Sequence, residues 1–219
     1  MHNKARNKMQ SLVGDMVIVV APILCLAACG NMPQPATELE SERKGLPPLL
    51  SSWMPTENFS VYQQVDGFKG EDRYYFENAI EFTSGELGLV MLGDLGQRVA
   101  TIEYNGNNLK IDRASFLPDS FDPYYVLEAM QMIYWPVEAF AEQGKRGWHL
   151  IESDNGMSRR FYYQGKLVAE IEYDVSCPLK GITRYHHKIY DYHLRINSAV
   201  IERTDETGIE KIDNERCPL

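Results

Sequence analysis

From Phe59 to Val200 the chain is dominated by short runs in which apolar and polar residues alternate, broken by glycine. A period of two places successive side chains on opposite faces of a strand. In "RVATIEYNGNNLKID", Ala100, Ile102 and Tyr104 share one phase and Thr101 and Glu103 the other, and Asn105-Gly106 offers the positive φ angles of a hairpin turn. In "RRFYYQGKLVAEIEYDV", a two-residue turn at Gln164-Gly165 sets Tyr162 opposite Leu167. Leu167, Ala169, Ile171 and Tyr173 then face a core, while Val168, Glu170, Glu172 and Asp174 face water, as in an antiparallel sheet with one dry side. "FSVYQQVDGFKG" and "DRYYFENAIEFTSGELGLVML" are rich in aromatic and β-branched residues with glycine punctuation. "ITRYHHKIYDYHLRINSAVIER" predicts at least one more long strand, with a bend.

One segment breaks this rhythm. "DPYYVLEAMQMIYW" has Asp122 as a cap, Pro123 at the first helical position, and Val126, Leu127, Met130, Ile133 and Tyr134 at helical spacing. Pro136 interrupts it, and "VEAFAEQG" predicts a second short helix ending at Gly144. The fold class is therefore mainly β with a helical insert (α+β), an antiparallel sheet whose apolar face is covered by helices.

The N-terminus has another logic. Met16 to Ala28 is uncharged and too short for the roughly 20 residues of a membrane span, but it suits the apolar region of a signal peptide behind Lys4, Arg6 and Lys8. Asp15 is unusual at that border. Leu26-Ala27-Ala28-Cys29 resembles the processing box of bacterial lipoproteins. That resemblance implies removal of residues 1–28 and lipidation at Cys29, and Gly30 after it implies transfer to the outer membrane, facing the periplasm. Several acyl chains on one residue anchor durably, whereas one binds marginally. Residues 29–48, with Pro33, Pro35, Pro47 and Pro48 and the charged run Glu38 to Lys44, read as the lipidated N-terminus and a flexible tether. A single domain over 49–200 and a C-terminal tail over 201–219 follow.

Composition narrows the partners. Removing three cations and one anion with the signal takes the net charge from −9 to −11, which disfavours nucleic-acid phosphates and leaves membrane attachment to the lipid. Of four cysteines, Cys25 leaves with the signal and Cys29 carries lipid. Cys177 and Cys217 then read as a disulfide pinning the tail; a reactive thiol or a metal pair is the alternative, and neither cysteine has a close Cys or His at ligand spacing. His187, Asp191 and His193 share a face if the segment is a strand, but one flat strand spreads them over some 13 Å, too far for zinc. Rim histidines among tyrosines are the expectation, with no metal and no cofactor. No Gly-x-Ser-x-Gly and no phosphate loop occurs in the sequence, and no catalytic residue is assigned.

Four stretches in order carry a wider resemblance: "LVMLGDLGQRVATIEYNG", "MIYWPVEAFAEQG", "FYYQGKLVAEIEY" and the closing strand around "HLRI". Together they resemble the LolA/LolB fold, and more narrowly LolB-like outer-membrane lipoproteins, some of which accompany aryl-polyene biosynthesis. The resemblance implies an unclosed, strongly curved antiparallel β-barrel covered by short helices over a cavity for acyl chains. Candidates for its lining are Ile102, Tyr104, Met130, Ile133, Tyr134, Tyr162, Leu167, Ile171 and Tyr173. Leu95 in "GDLGQR" matches a protruding leucine that helps LolB deliver lipoproteins to membranes; Gly93-Asp94 replaces LolB's Asn-Pro, and a partly buried hairpin leucine is the competing reading. The expected function is a monomeric, non-enzymatic, outer-membrane-anchored lipoprotein. It would receive a hydrophobic acyl or polyene-like ligand from a periplasmic donor and hand it on. A scaffold docking a protein partner, or an acyl-group enzyme, are the alternatives.

Overall fold

The structure is a computed structural model that describes residues 34–35, 55, 58–83, 85–117, 122–201 and 217–219. The signal peptide, Cys29, most of the tether and residues 202–216 of the tail lie outside the described residues.

The described chain forms β1 (Gln34–Pro35), β2 (Phe59–Lys69), β3 (Asp72–Thr83), β4 (Glu86–Leu92), β5 (Arg98–Tyr104) and β6 (Asn108–Arg113). Helix α1 (Pro123–Tyr134) and a 3-10 segment (Val137–Arg146) follow, and then β7 (Trp148–Glu152), β8 (Ser158–Tyr163), β9 (Lys166–Tyr173), β10 (Gly181–His187) and β11 (Tyr192–Ile201). All belong to one antiparallel sheet in the order β1-β6-β5-β4-β3-β2-β11-β10-β9-β8-β7. It is curled and unclosed, as the fold-class reading expects. Two meanders, β2–β6 and β7–β11, are joined where β2 pairs with β11 (Val61 opposite Val200, Val65 opposite Ile196).

The alternation behaves as expected on β2, where Phe59, Val61, Gln63 and Val65 are buried. Turn chemistry holds at Gln164-Gly165, with both φ values positive (48° and 77°), Tyr163 opposite Lys166 and Tyr162 opposite Leu167. It differs at the other hairpin. Only Gly106 takes positive φ, and Asn105 instead turns its side chain inward, accepting from the amides of Asn107 (3.1 Å) and Asn108 (2.8 Å).

One expectation is sharpened and two need correction. The segment read as at least one long strand with a bend is a hairpin of two, β10 and β11, and the bend is a turn through residues 188–191. The second helix is a 3-10 segment that runs two residues past Gly144 and ends on Gly147 at φ 88°. On β9 the expected face is broken by a bulge: Phe161 pairs with Ala169 and Tyr162 with Leu167, so Val168 is an extra residue. Val168 is buried together with Ala169, and the Tyr162–Leu167 pair beyond it turns to the opposite face and is half-buried.

Helix α1 starts as its sequence dictates: Asp122 accepts from the Tyr124 amide at 2.9 Å and Pro123 occupies the first turn. Nearly all of it is buried, because it lies within the curl of the sheet rather than on its outside. Its C-terminal carbonyls are held by a buried cation. Arg159 on β8 donates through Nη1 to the carbonyls of Met132 (3.3 Å), Ile133 (3.1 Å) and Trp135 (2.6 Å), and through Nε to Glu152 (2.7 Å). The Tyr173 hydroxyl donates to the Ile133 carbonyl at 2.7 Å. A cation at this end also meets the negative pole of the helix. Cys177 and Cys217 are disulfide-bonded, tying the last residues to the loop after β9. Among the described residues no helix is long and apolar enough to cross a membrane.

Candidate functional site

A cavity of about 520 Å³ lies between α1 and the inner face of β2–β5 and β11. Size and lining both fall in the range of small-molecule sites. The strands contribute Val65, Phe76, Met91, Val99, Leu194 and Ile196; the helix contributes Val126, Ala129, Met130 and Ile133. Tyr125, Tyr190 and Tyr192 join them.

The lining is graded from end to end. Lys69, Arg73, Tyr74, Tyr75, Asp94 and Phe116 line it and are exposed, so this end is the mouth. Phe116 is 62% exposed and Leu95, in the adjoining β4–β5 turn, 87%. At the other end Gln63, Asn78, Met91, Ile133 and Tyr134 are buried, and this end is the floor.

The floor is polar and organised. Gln63 and Asn78 sit directly opposite each other on β2 and β3. Gln63 Nε2 donates to the Tyr134 hydroxyl and to Ser198 Oγ (3.3 Å), and Asn78 Nδ2 donates to Gln63 Oε1 (3.3 Å). Asn78 Oδ1 has no hydrogen-bond partner among the described residues. Burial pushes the Tyr134 hydroxyl up to about 12, against the opposing effect of its bonds to Ser198 and Gln63. This floor resists charge.

Of the lining residues expected from sequence, Met130, Ile133 and Tyr134 are on the wall. Ile102, Tyr104, Ile171 and Tyr173 are buried in the core and do not line the cavity. Tyr104 spends its hydroxyl on the Gly106 carbonyl (3.2 Å), and Tyr173 spends its own on the helix end. Tyr162 and Leu167 are half-buried and do not line the cavity either, since no residue of β8 or β9 reaches it. Gln63 and Asn78 were missed, although a signal existed: each is a polar residue in the buried phase of its strand, in line with Val61 and Val65 or with Ile80 and Phe82.

The β10–β11 turn rearranges the histidines. His186 and His193 are cross-strand partners with rings stacked at 3.6 Å, and His186 Nε2 lies 3.3 Å from Asp191. One donor atom from each of the three lies within 4.8 Å of the others, a grouping that could hold a metal. Lys188 already occupies this neighbourhood, 2.8 Å from His186 Nδ1 and 2.6 Å from Glu170. His187 points the other way and is fully buried; burial lowers it to about 4, so it is neutral at physiological pH.

A sequence family described as "Protein of unknown function (DUF3261)" matches residues 60–200. No curated protein matches the chain. Among solved structures it is similar to the crystal structure of the LolA superfamily protein NE2245 from Nitrosomonas europaea, at 9% identity and a TM-score of 0.41, over 80% of this chain and 96% of that one.

Proposed function

The chain belongs to the DUF3261 family, a family of unknown function, and from its cavity we propose that it is a non-enzymatic carrier for a hydrophobic acyl or lipid-like cargo. The observation that supports this reading is a 520 Å³ space, walled by largely apolar strand and helix side chains, that opens at a rim of aromatic and charged residues. Each methylene moved there from water gains about 0.8 kcal/mol. A chain drawn from a bilayer gives up the same amount on leaving, so exchange between membrane and cavity is nearly balanced. Its direction is then set by what waits at either end.

In this proposal the carrier sits on the periplasmic face of the outer membrane, lipidated at Cys29, a reading supported by the apolar leader and the Leu26-Ala27-Ala28-Cys29 box. In this reading Leu95, on its exposed turn beside the mouth, enters the lipid surface during transfer. The test is to purify the processed chain from cells, extract it and weigh the extract by mass spectrometry. The carrier reading expects an acyl or polyene species near one per protein, and Leu95→Asp slowing its release to vesicles several-fold with no change in melting. Protein that carries nothing and takes up nothing from vesicles overturns it.

A further inference from the structure

We propose that the β10–β11 turn binds one divalent cation of the zinc class, held by His186 Nε2, His193 Nε2 and a carboxylate oxygen of Asp191, with water in the fourth position. The site stands apart from the carrier reading, and neither depends on the other.

The turn removes the spacing problem that one flat strand poses. Folding the chain back through residues 188–191 sends His187 into the interior and exchanges it for His186, directly opposite His193. Tyr192 and Leu194 line the cavity, so His193 between them is on the outer side of the sheet. Asp191 belongs to the turn itself, at φ 48°. Its Oδ1 is 3.3 Å from His186 Nε2 and 4.0 Å from His193 Nε2, so both rings present the same nitrogen to one carboxylate oxygen. With one donor atom of each residue within 4.8 Å of the others, a point lies about 2.0–2.4 Å from all three, against zinc bonds of about 2.0–2.2 Å.

The donor set selects the ion. Two imidazoles, one carboxylate and an open position suit zinc and its transition-metal neighbours, whereas magnesium and calcium take oxygen alone. Little has to be broken for such an ion to enter. Among the described residues, the side chains of Asp191 and His193 have no hydrogen-bond or ion-pair partner outside this trio. They are free to turn until the lone pairs of the rings, now stacked at 3.6 Å, converge. Lys188 stands on the far side of His186, 2.8 Å from Nδ1, and so fixes the ring proton on Nε2. Binding moves that proton to Nδ1, and Lys188 keeps its ion pair with Glu170 at 2.6 Å. The turn is at the mouth end, where Tyr192 pairs with Lys69 and Tyr190 lines the cavity, so the ion ties the ends of β10 and β11 together there.

The experiment uses the full chain, stripped with EDTA and treated with iodoacetamide so that no free thiol competes. It is titrated with zinc chloride by calorimetry at neutral pH, and its melting is followed. One ion per chain should bind, with excess magnesium making no difference. Zinc at one hundred times its Kd should raise Tm by about 5–10 °C. Loss even of an outer partner weakens metal sites about 10–100-fold, so His193→Gln and Asp191→Asn should each weaken binding at least about tenfold. His149→Gln, on β7, should bind as the parent does. In proton NMR spectra zinc should move the ring signals of His186 and His193 and leave those of His149, a result that decides even if a variant does not fold. No saturable uptake of zinc, unmoved His186 and His193 signals, or undiminished binding by His193→Gln overturns the proposal and leaves the carrier reading standing.

Discussion

Replacing Arg159 with methionine removes the clamp on the end of α1 while keeping most of the aliphatic volume. Arg159 is 7% exposed, and its guanidinium donates to three backbone carbonyls, those of Met132, Ile133 and Trp135. After the change Ile133 still receives the Tyr173 hydroxyl, while the carbonyls of Met132 and Trp135 and the Glu152 carboxylate lose this donor. A buried group left unpaired costs about 1–3 kcal/mol, and breaking a buried charged pair about 3–5 kcal/mol. The expected loss is therefore about 3–5 kcal/mol. For a chain of this size, at about 2–4 °C per kcal/mol, that lowers Tm by roughly 6–20 °C. Calorimetry with urea unfolding measures it. Arg159→Lys retains the charge but has no planar fork to span three carbonyls, and should recover no more than about half of the loss. Glu152→Gln keeps an acceptor for Arg159 Nε but removes the counter-charge of a buried guanidinium, and should cost about 1–3 kcal/mol, less than Arg159→Met because that carboxylate is 30% exposed. A melting point for Arg159→Met within about 2 °C of the parent would show that the helix end is held by something else.

Other changes probe separate features. Converting Cys177 and Cys217 to serine releases a loop with a sequence separation of 40, and should cost roughly 4 kcal/mol on chain-entropy grounds, read from the urea midpoint. His187 has its native pKa lowered from 6.5 to about 4, so its contribution is complete above pH 6.5. That contribution falls by up to about 3 kcal/mol as acid takes the pH to 4, because the unfolded chain binds the proton first. His187→Gln should flatten that part of the curve, and an unchanged slope between pH 7 and 5 would refute it. At Gly67 an added Cβ meets Leu194 and Tyr74 at 3.5 Å, ordinary contact, so Gly67→Leu should fold while its larger side chain narrows the cavity. Uptake of a pyrene-labelled fatty acid should drop at least about fivefold with melting little changed.

What could be read from the chain follows the range of the interactions. The Gln164-Gly165 turn and the Asp122-Pro123 helix start are local, and both were legible. The Val168 bulge was not, because a bulge is a mismatch between two strands and leaves no mark on either alone. The β10–β11 turn escaped because residues 188–191 contain neither glycine nor proline, and Asp191 itself takes the positive φ of 48°. The inward phase at Ile102, Tyr104 and Ile171 was readable, yet being inside the sheet is not the same as facing the cavity. Which inward residues meet open space depends on where α1 lies, and Arg159 and Tyr173 on distant strands decide that. Gln63 and Asn78 could be seen as polar residues out of place; their joint role needed β2 set between β3 and β11.

The unclosed sheet has a mechanical consequence. In a sealed ring of strands, widening the bore means parting a ladder somewhere. Here β7 and β1 end the sheet without meeting among the described residues, so the two meanders can swing about the β2–β11 seam with every rung intact. β8 and β9 grip the end of α1 and β2 holds Tyr134 through Gln63, so the helix bridges the two leaves. Admitting a bulky guest by a small rotation along that seam would leave the strand ladders paired and would load the Gln63–Tyr134 bond instead.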